Sequence, residues 1–427
     1  MAKDSGGLRM DLTYTAADIA FRQRVRRWLE EHTPRTKLTT LEQRRAWHRQ
    51  LYAAGYRGTG WPQEYGGHAA RPMEQAIVAE ELARAQAPVG LDGLGIDIYV
   101  ATLMHHGTAR QKRDHVAKLL TAEEIWCQLY SEPNAGSDLA SLQCRADRGT
   151  GPAAAGAPGG SGDAFVINGQ KIWTSDAYHA EWGLLLARTD RDAPKHHGIS
   201  CLMVDMALPG IEVRRIKQIS GSREFCEVFF TNVHIAAGNL IGGLNAGWRI
   251  AQTTLSYERV GSTLGHVGRL QNALDRMIAV CRTLKRNGRP AIEDPIVRQK
   301  LGEVSTGIAV LRYAALRLLS GVEKGHRPGP EASIAKLHVA RLDQRVQKLF
   351  IDILGPYGLL VGGVPEEFAL EAGAAYGEPG SWAYALVWSR AGTIYGGSAE
   401  IQKNILGERV LGLPKEVRRD RQARTED

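Results

Sequence analysis

The sequence predicts an α+β, mainly α, protein built as helices, then a small β unit, then helices. Three observations predict this. Apolar residues recur at three- and four-residue spacing from Asp18 to about Thr121. Between about Ile125 and Ile235, short runs of β-forming residues alternate with turn residues. From Ala246 the helical spacing returns. Runs of helices separated from runs of strands argue against a doubly wound α/β sheet. The 427 residues suit two or three domains, and the texture changes place them at 1–122, 123–236 and 237–427. No internal repeat is evident.

In the first region Phe21, Val25, Trp28 and Leu29 share a helical face with arginines between them, and Ile77, Ala79, Leu82 and Ala83 repeat the pattern. Residues 55–67 (GYRGTGWPQEYGG) interrupt as a turn-rich loop. Thr121 and Glu124 have the spacing of a helix start with its reciprocal cap. In the middle region, runs at 164–167, 182–187, 199–204, 211–213 and 226–230 read as antiparallel sheet or barrel. Residues 149–162, almost wholly Gly, Ala, Pro and Ser, read as a surface excursion. The last region predicts a long helix from 246 to about 284, helices over 294–319 and 334–354, a loop insertion over 361–381, and a final helix after Ser398.

Hydrophobic residues make up 43% and charged residues 23%, as expected of a folded soluble protein rather than a disordered one. No apolar run approaches the ~20 residues that span a bilayer, and the N-terminal stretch has no apolar segment of the secretory kind. The five cysteines, at 127, 144, 201, 226 and 281, form no CxxC pair. They read as reduced thiols of a cytoplasmic protein, without a disulfide framework or zinc site. The net charge of +8, from 54 basic residues, is spread along the chain. It reads as solvated helix faces rather than a nucleic-acid site.

Several chemistries are excluded. There is no GxGxxG after a strand, no Walker loop, no HExxH and no GxSxG elbow. The pairs His105-His106 and His196-His197 read as surface residues, and no metal site is expected.

Three stretches carry candidate chemistry. In 129–138 (LYSEPNAGSD) a strand leads into a turn of small residues, where the backbone at Gly136 and Ser137 can approach a ligand closely. In 167–175 (INGQKIWTS), Asn168-Gly169 is a hairpin signal. Trp173, followed by Thr174 and Ser175, suits either a planar heteroaromatic ligand or the core. In 394–402 (IYGGSAEIQ), Gly-Gly-Ser before a helix leaves N–H groups for phosphate or carbonyl oxygens.

These stretches, in this order, resemble the acyl-CoA dehydrogenase family. Residues 131–138 match its hydroxyl-Glu-Pro-x-x-Gly-Ser-Asp, 168–173 its Asn-Gly-x-Lys-x-Trp, and 394–402 its Ile-Tyr-x-Gly-hydroxyl-x-Glu-Ile-Gln. Leu-Gly-Leu-Pro at 411–414 and Trp-Pro-x-x-Tyr-Gly-Gly at 61–67 extend the match over nearly the whole chain. The resemblance implies an N-terminal α domain, a middle β-barrel and a C-terminal four-helix bundle, in homotetramers or homodimers. It implies FAD between the last two domains, an acyl-CoA substrate and an electron-transfer flavoprotein as acceptor. It assigns Tyr130, Ser131, Gly136 and Ser137 to the flavin and thioester lining, with Ser137 also against substrate. Trp173 and Ser175 go to the flavin ring, Ser398 and Glu400 to the adenine dinucleotide, and Gly355 and Gly358 to a bend reaching a neighbour's cofactor. Arg259, Tyr395 and Gly396 fall at the substrate.

The chain departs from the family at the catalytic base. The reaction removes an α-proton from the thioester while the β-hydrogen leaves as hydride to flavin N5, and donors to the thioester carbonyl lower the barrier. The usual base is a Glu at the position of Gly396, and glycine cannot take a proton. A branch resembling isovaleryl- and long-chain acyl-CoA dehydrogenases carries its base on the long helix, at Glu258. An apolar, substrate-filled pocket would raise its pKa toward neutrality. Gly261, Gly265 and Gly268 on the same helix suit close packing or room for substrate. Clearing position 396 predicts a branched, cyclic or bulky acyl group. The usual arginine after this helix has Arg282 or Arg286 as a substitute, and Asp352 stands where the family has Gln. These changes leave open a hetero-oligomer with this chain as a silent half-site subunit. A flavin-dependent monooxygenase or oxidase on the same fold is the further alternative.

Overall fold

The computed structural model describes residues 14–88, 90–91, 95–149, 163–261, 263–324, 329–362, 365–369 and 381–415. The Gly-rich 150–162 and much of the expected 361–381 insertion lie outside the described residues.

Among the described residues five α-helices come first: α1 (Ala16–His32), α2 (Leu41–Ala53), α3 (Pro72–Arg84), α4 (Gly95–His106) and α5 (Ala109–Leu120). Thr15, Thr40 and Thr108 start three of them with the same device. Each hydroxyl accepts the N–H three residues on, and the Asp18, Gln43 or Gln111 side chain returns to the cap's own N–H. Val25, Leu29, Trp47, Leu51, Val78 and Leu82 fill the space between α1, α2 and α3.

Thr121, expected to start a helix, instead ends α5, with its N–H on the Ala117 carbonyl. Its would-be partner Glu124 is drawn inward by stronger partners. His115 Nδ1 lies 2.9 Å and Trp126 Nε1 3.0 Å from the carboxylate, with Lys118 Nζ at 3.3 Å. Burial alone would raise this carboxyl, but His115, Trp126 and Lys118 hold it below its ordinary value.

His48 is fully buried, its Nε2 2.9 Å from the Leu120 carbonyl. Burial, with help from Arg57, lowers its pKa from 6.5 to about 4. The unfolded chain therefore binds a proton that the folded chain refuses between those values, so stability rises with pH there. We expect the unfolding free energy to fall as pH drops from 6.5 to about 4, and His48→Asn to flatten that slope in urea titrations. An unchanged slope would show that His48 is not the group responsible.

Among the described residues the middle region is one eight-stranded sheet. Its strands are β1 (Trp126–Leu129), β2 (Arg145–Gly149), β3 (Ala164–Ser175), β4 (Trp182–Arg188), β5 (Ile199–Asp205), β6 (Ile211–Arg215), β7 (Phe225–Ala236) and β8 (Leu240–Ile241). They run in the order β6-β7-β3-β2-β4-β5-β8, with β1 parallel to β4. Asn168-Gly169 does not turn a hairpin. It sits inside the continuous β3, where the register to β7 shifts between Ile167 and Gly169. Gly169 has φ +148°, and a Cβ there would lie 2.7 Å from Cys144 Cα, so the glycine serves a close crossing of chains.

The last region holds α6 (Gly247–Gly261), α7 (Thr263–Thr283), α8 (Pro295–Glu323), α9 (Ala332–Leu354), α10 (Trp382–Ser389) and α11 (Ala399–Ile405). The expected single helix over 246–284 is thus described as two spans either side of residue 262, itself outside the described residues. The helix α10 went unforeseen because it is apolar on every side and shows no period. Trp382 buries its ring edge-on to Phe350 at 4.8 Å and donates Nε1–H to the Phe368 carbonyl. No helix among the described residues is long and apolar enough to cross a membrane. The five cysteines are buried and unpaired with one another, and the described residues hold no metal-binding cluster.

Candidate active site

The turn at 131–138 is held from below by a buried ion pair. Lys171, on β3, is fully buried and donates from Nζ to the Tyr130 carbonyl at 3.0 Å and to Glu132 Oε1 at 2.8 Å. The Glu132 carboxylate also accepts the Gln143 and Cys144 N–H groups at 2.6 and 2.9 Å. With its ion and acceptors satisfied, the pair can stand in the interior, and the turn it anchors stays at the surface. Gly136 and Ser137 are exposed, and a Cβ at Gly136 would meet nothing within 4 Å. Lys195 closes the far end of the turn on Asp138 at 2.7 Å.

Next to this turn the backbone is distorted. Ile172 donates its N–H to the Ser131 carbonyl at 2.9 Å, and the β3–β7 register shifts again between Lys171 and Thr174. Trp173, inside the shift, has φ +60°, a conformation that costs a bulky residue about 1–3 kcal/mol. Its indole is 56% exposed, edge-on to Phe225 at 6.0 Å. Ser175, two residues on, is half-buried. A strained strand presenting a planar ring outward, beside an open turn, fits a planar aromatic ligand better than a core position.

The segment 394–402 reaches the same region through Glu224. Trp388 Nε1 lies 3.2 Å from Glu224 Oε1, and Glu224 also accepts the Asp176 N–H on its carbonyl at 2.8 Å. Burial would raise the Glu224 carboxyl, but hydrogen bonds from Ser222, Gln218 and Trp388 keep it below its ordinary value. Trp388 packs against Tyr395 at 5.8 Å, and Lys336 Nζ sits 3.9 Å over the Tyr395 ring. Gly396 and Gly397 follow with φ +61° and +84°. Their carbonyls accept the Gln402 amide at 3.0 and 3.3 Å, and a Cβ at Gly397 would lie 2.5 Å from that nitrogen. Ser398 caps α11 by accepting the Ile401 N–H at 3.3 Å, and Glu400 is exposed in its first turn. Lys171, Glu224 and Trp388 escaped sequence reasoning, though Lys171 lay inside a quoted motif.

The helix α6 approaches from the other side. Tyr130 donates its hydroxyl to Thr254 Oγ1 at 3.1 Å, and Thr254 Oγ1 lies 2.7 Å from Thr102 Oγ1 on α4. His106 Nε2 is 2.8 Å from Thr253 Oγ1, and His105 Nε2 2.8 Å from the Tyr257 hydroxyl. His105 is exposed, as expected, and His106 half-buried, and the pair links α4 to α6. Glu258 and Arg259 occupy the last turn of α6, and their side chains lie outside the described residues. Gly355 ends α9 with φ +57°. Two residues before it, a cavity of about 150 Å³ is lined by Ile353, Asp352 and Arg286, with Lys300 and Asp294. Arg286 lines this cavity with Asp352, and Arg282 does not.

The chain matches the patterns for the acyl-CoA dehydrogenase N-terminal domain over residues 15–123, the middle domain over 127–233 and the C-terminal domain over 245–411. It is 38% identical to acyl-CoA dehydrogenase IpdE1 of Mycolicibacterium smegmatis over 410 residues, covering 93% of this chain and 98% of that one. Among solved structures it resembles the "Tcur3481-Tcur3483 steroid ACAD" (TM-score 0.79, 28% identity, 95% of this chain and 100% of that one). It also resembles the ChsE4-ChsE5 complex from Mycobacterium tuberculosis (TM-score 0.77, 29% identity, 95% and 100%). The order of helices, sheet and helices, the anchored turn beside an exposed Trp173, and relatives matched along nearly their whole length agree: this chain is an oxidoreductase of the acyl-CoA dehydrogenase family.

Proposed function

We propose that the chain dehydrogenates the Cα–Cβ bond of a bulky acyl-CoA thioester, of steroid or branched type, to the trans-2-enoyl-CoA, with Glu258 as base. The observation that carries this reading is Gly396. The position where the family usually keeps its carboxylate holds a glycine in the left-handed region, its carbonyl tied to Gln402. A proton acceptor must then come from another element. Residue 258 lies one helical turn beyond Thr254, on the face of α6 that meets Tyr130. The name of the steroid-type neighbour supports a large acyl group.

The family depends on FAD, and the residues here fit it: Trp173 and Ser175 for the ring, Ser131, Gly136 and Ser137 for the turn beside it, and Ser398 and Glu400 for the dinucleotide. When bound, FAD accepts the β-hydride. The chain's own work is to seat the thioester against the 131–138 turn, to hold Tyr395 and Gly396 beside it, and to take the α-proton on the Glu258 carboxylate. Electrons then pass to an electron-transfer flavoprotein.

Anaerobic reduction of the purified flavoprotein by a panel of straight, branched and steroid-like acyl-CoA thioesters tests the substrate. Bleaching is expected fastest with the bulky thioesters, and a preference for straight chains would sink that part of the reading. Rapid oxygen consumption by the reduced protein would favour an oxidase instead.

A second reading concerns assembly. Asp352 shares its cavity with Arg286 and pairs with Lys348 at 2.8 Å. Asp352 stands where the family usually has Gln, so this end of the bundle departs from the pattern by which a second copy of one chain reaches its neighbour's cofactor. We infer a partner of unlike sequence that completes the cofactor site. A colourless lone chain that turns yellow on mixing with a paralogue supports this, and stoichiometric FAD in a homo-oligomer overturns it.

A further inference from the structure

We propose that Thr254 is a positioning residue: through Tyr130 it sets the distance between the base-bearing end of α6 and the ligand-lining turn. This rests on the reading of Glu258 as base.

Tyr130 is held at both ends. Its carbonyl accepts Lys171 Nζ at 3.0 Å, and its hydroxyl donates to Thr254 Oγ1 at 3.1 Å. The next residue, Ser131, opens the turn. Thr254 is itself fully buried and fixed from α4. The two threonine oxygens lie 2.7 Å apart, and each hydroxyl also has a helix carbonyl in reach, Ile98 at 2.7 Å for Thr102 and Ile250 at 3.1 Å for Thr254. Tyr130 thus donates into a buried pair of hydroxyls that bridges α4 and α6 and is anchored to a carbonyl of each helix. Each donor has an acceptor and no proton is left over.

These bonds tie three elements at one point: the end of β1, α4 and α6. Residue 258 is the next residue on that face of α6. Proton abstraction demands that base and α-carbon meet within hydrogen-bond reach, and a misplacement of about 1 Å costs on the order of 10²-fold in rate. Apolar packing already fixes the approach of α6 to α4, and the hydroxyl contacts add directional bonds from Tyr130 at that point.

The test uses the full-length flavoprotein, with FAD content and thermal unfolding checked first. Thr254→Val keeps the shape and removes the hydroxyl. It is expected to lower the limiting rate of anaerobic flavin reduction at least tenfold with KM changed less than threefold. Thr254→Ser restores the hydroxyl and should recover most of the rate. Tyr130→Phe removes the same bond from the other side without touching α6, so it stands in if Thr254→Val fails to fold. Combining Thr254→Val with Glu258→Asp, which shortens the base, should give a loss that departs from the product of the single losses. Equal rates for Thr254→Val, Tyr130→Phe and the parent, or a purely multiplicative double variant, overturn the proposal. Glu258→Gln is measured beside them. If it reduces flavin at the parent rate, the base assignment fails, and the Thr254→Val and Tyr130→Phe rates still report on whether the Tyr130–Thr254 bond positions the site.

Discussion

The Glu258→Gln protein is expected to keep its FAD and to lose flavin bleaching by its acyl-CoA by about 10²–10⁴-fold, the usual contribution of a positioned general base. The amide matches the carboxylate in size but cannot accept the proton, so binding should survive. The loss should therefore fall on the limiting rate of reduction and leave KM near the parent value. The isolating control is the absorbance of bound FAD, since a variant that loses its colour reports on cofactor retention instead. Bleaching at the parent rate would show that the proton goes elsewhere. Gly396 supplies no alternative from its own position, so the proton would then go to a group outside both motifs.

Lys171→Met should have the largest effect on stability. The ammonium is fully buried, and its removal leaves the Glu132 carboxylate with two backbone N–H groups and without its hydrogen-bonded countercharge. Breaking a buried pair from one side costs about 3–5 kcal/mol, which is a large part of the stability of an ordinary domain. The Tyr130 carbonyl loses its partner as well, so FAD retention should fall along with the unfolding midpoint. Adding Glu132→Gln to Lys171→Met removes the stranded charge and should recover part of the loss. Urea unfolding of the single and double variants measures both. A single variant within about 1 kcal/mol of the parent would mean that the turn is anchored by other contacts.

Much of this was legible in residue order. The amphipathic spacing of α1 and α7 to α9 and the runs of β-forming residues are local patterns, and local patterns survive in a sequence. The same holds for the motifs around Ser131, Trp173 and Ser398, which require particular residues at fixed short spacings. Where local signals misled, a tertiary partner had overridden them. Asn168-Gly169 has the chemistry of a hairpin, but the close approach of Cys144 uses its glycine for a bulge. Thr121 and Glu124 have the spacing of a cap, but His115, Trp126 and Lys118 offer the carboxylate more than one backbone N–H can.

By itself the sequence determined the order of helices, sheet and helices, the family, and the absence of a carboxylate at position 396. Each follows from residue identity and spacing along the chain. Only the tertiary structure decided that Trp173 stands outward on a strained strand, that Lys171 grips both Tyr130 and Glu132, and that Thr254 joins Tyr130 to α4. These contacts span up to 152 residues of separation. Hydrogen bonds between such distant groups form only when packing brings the elements within about 3 Å, and nothing in the order of residues records that distance.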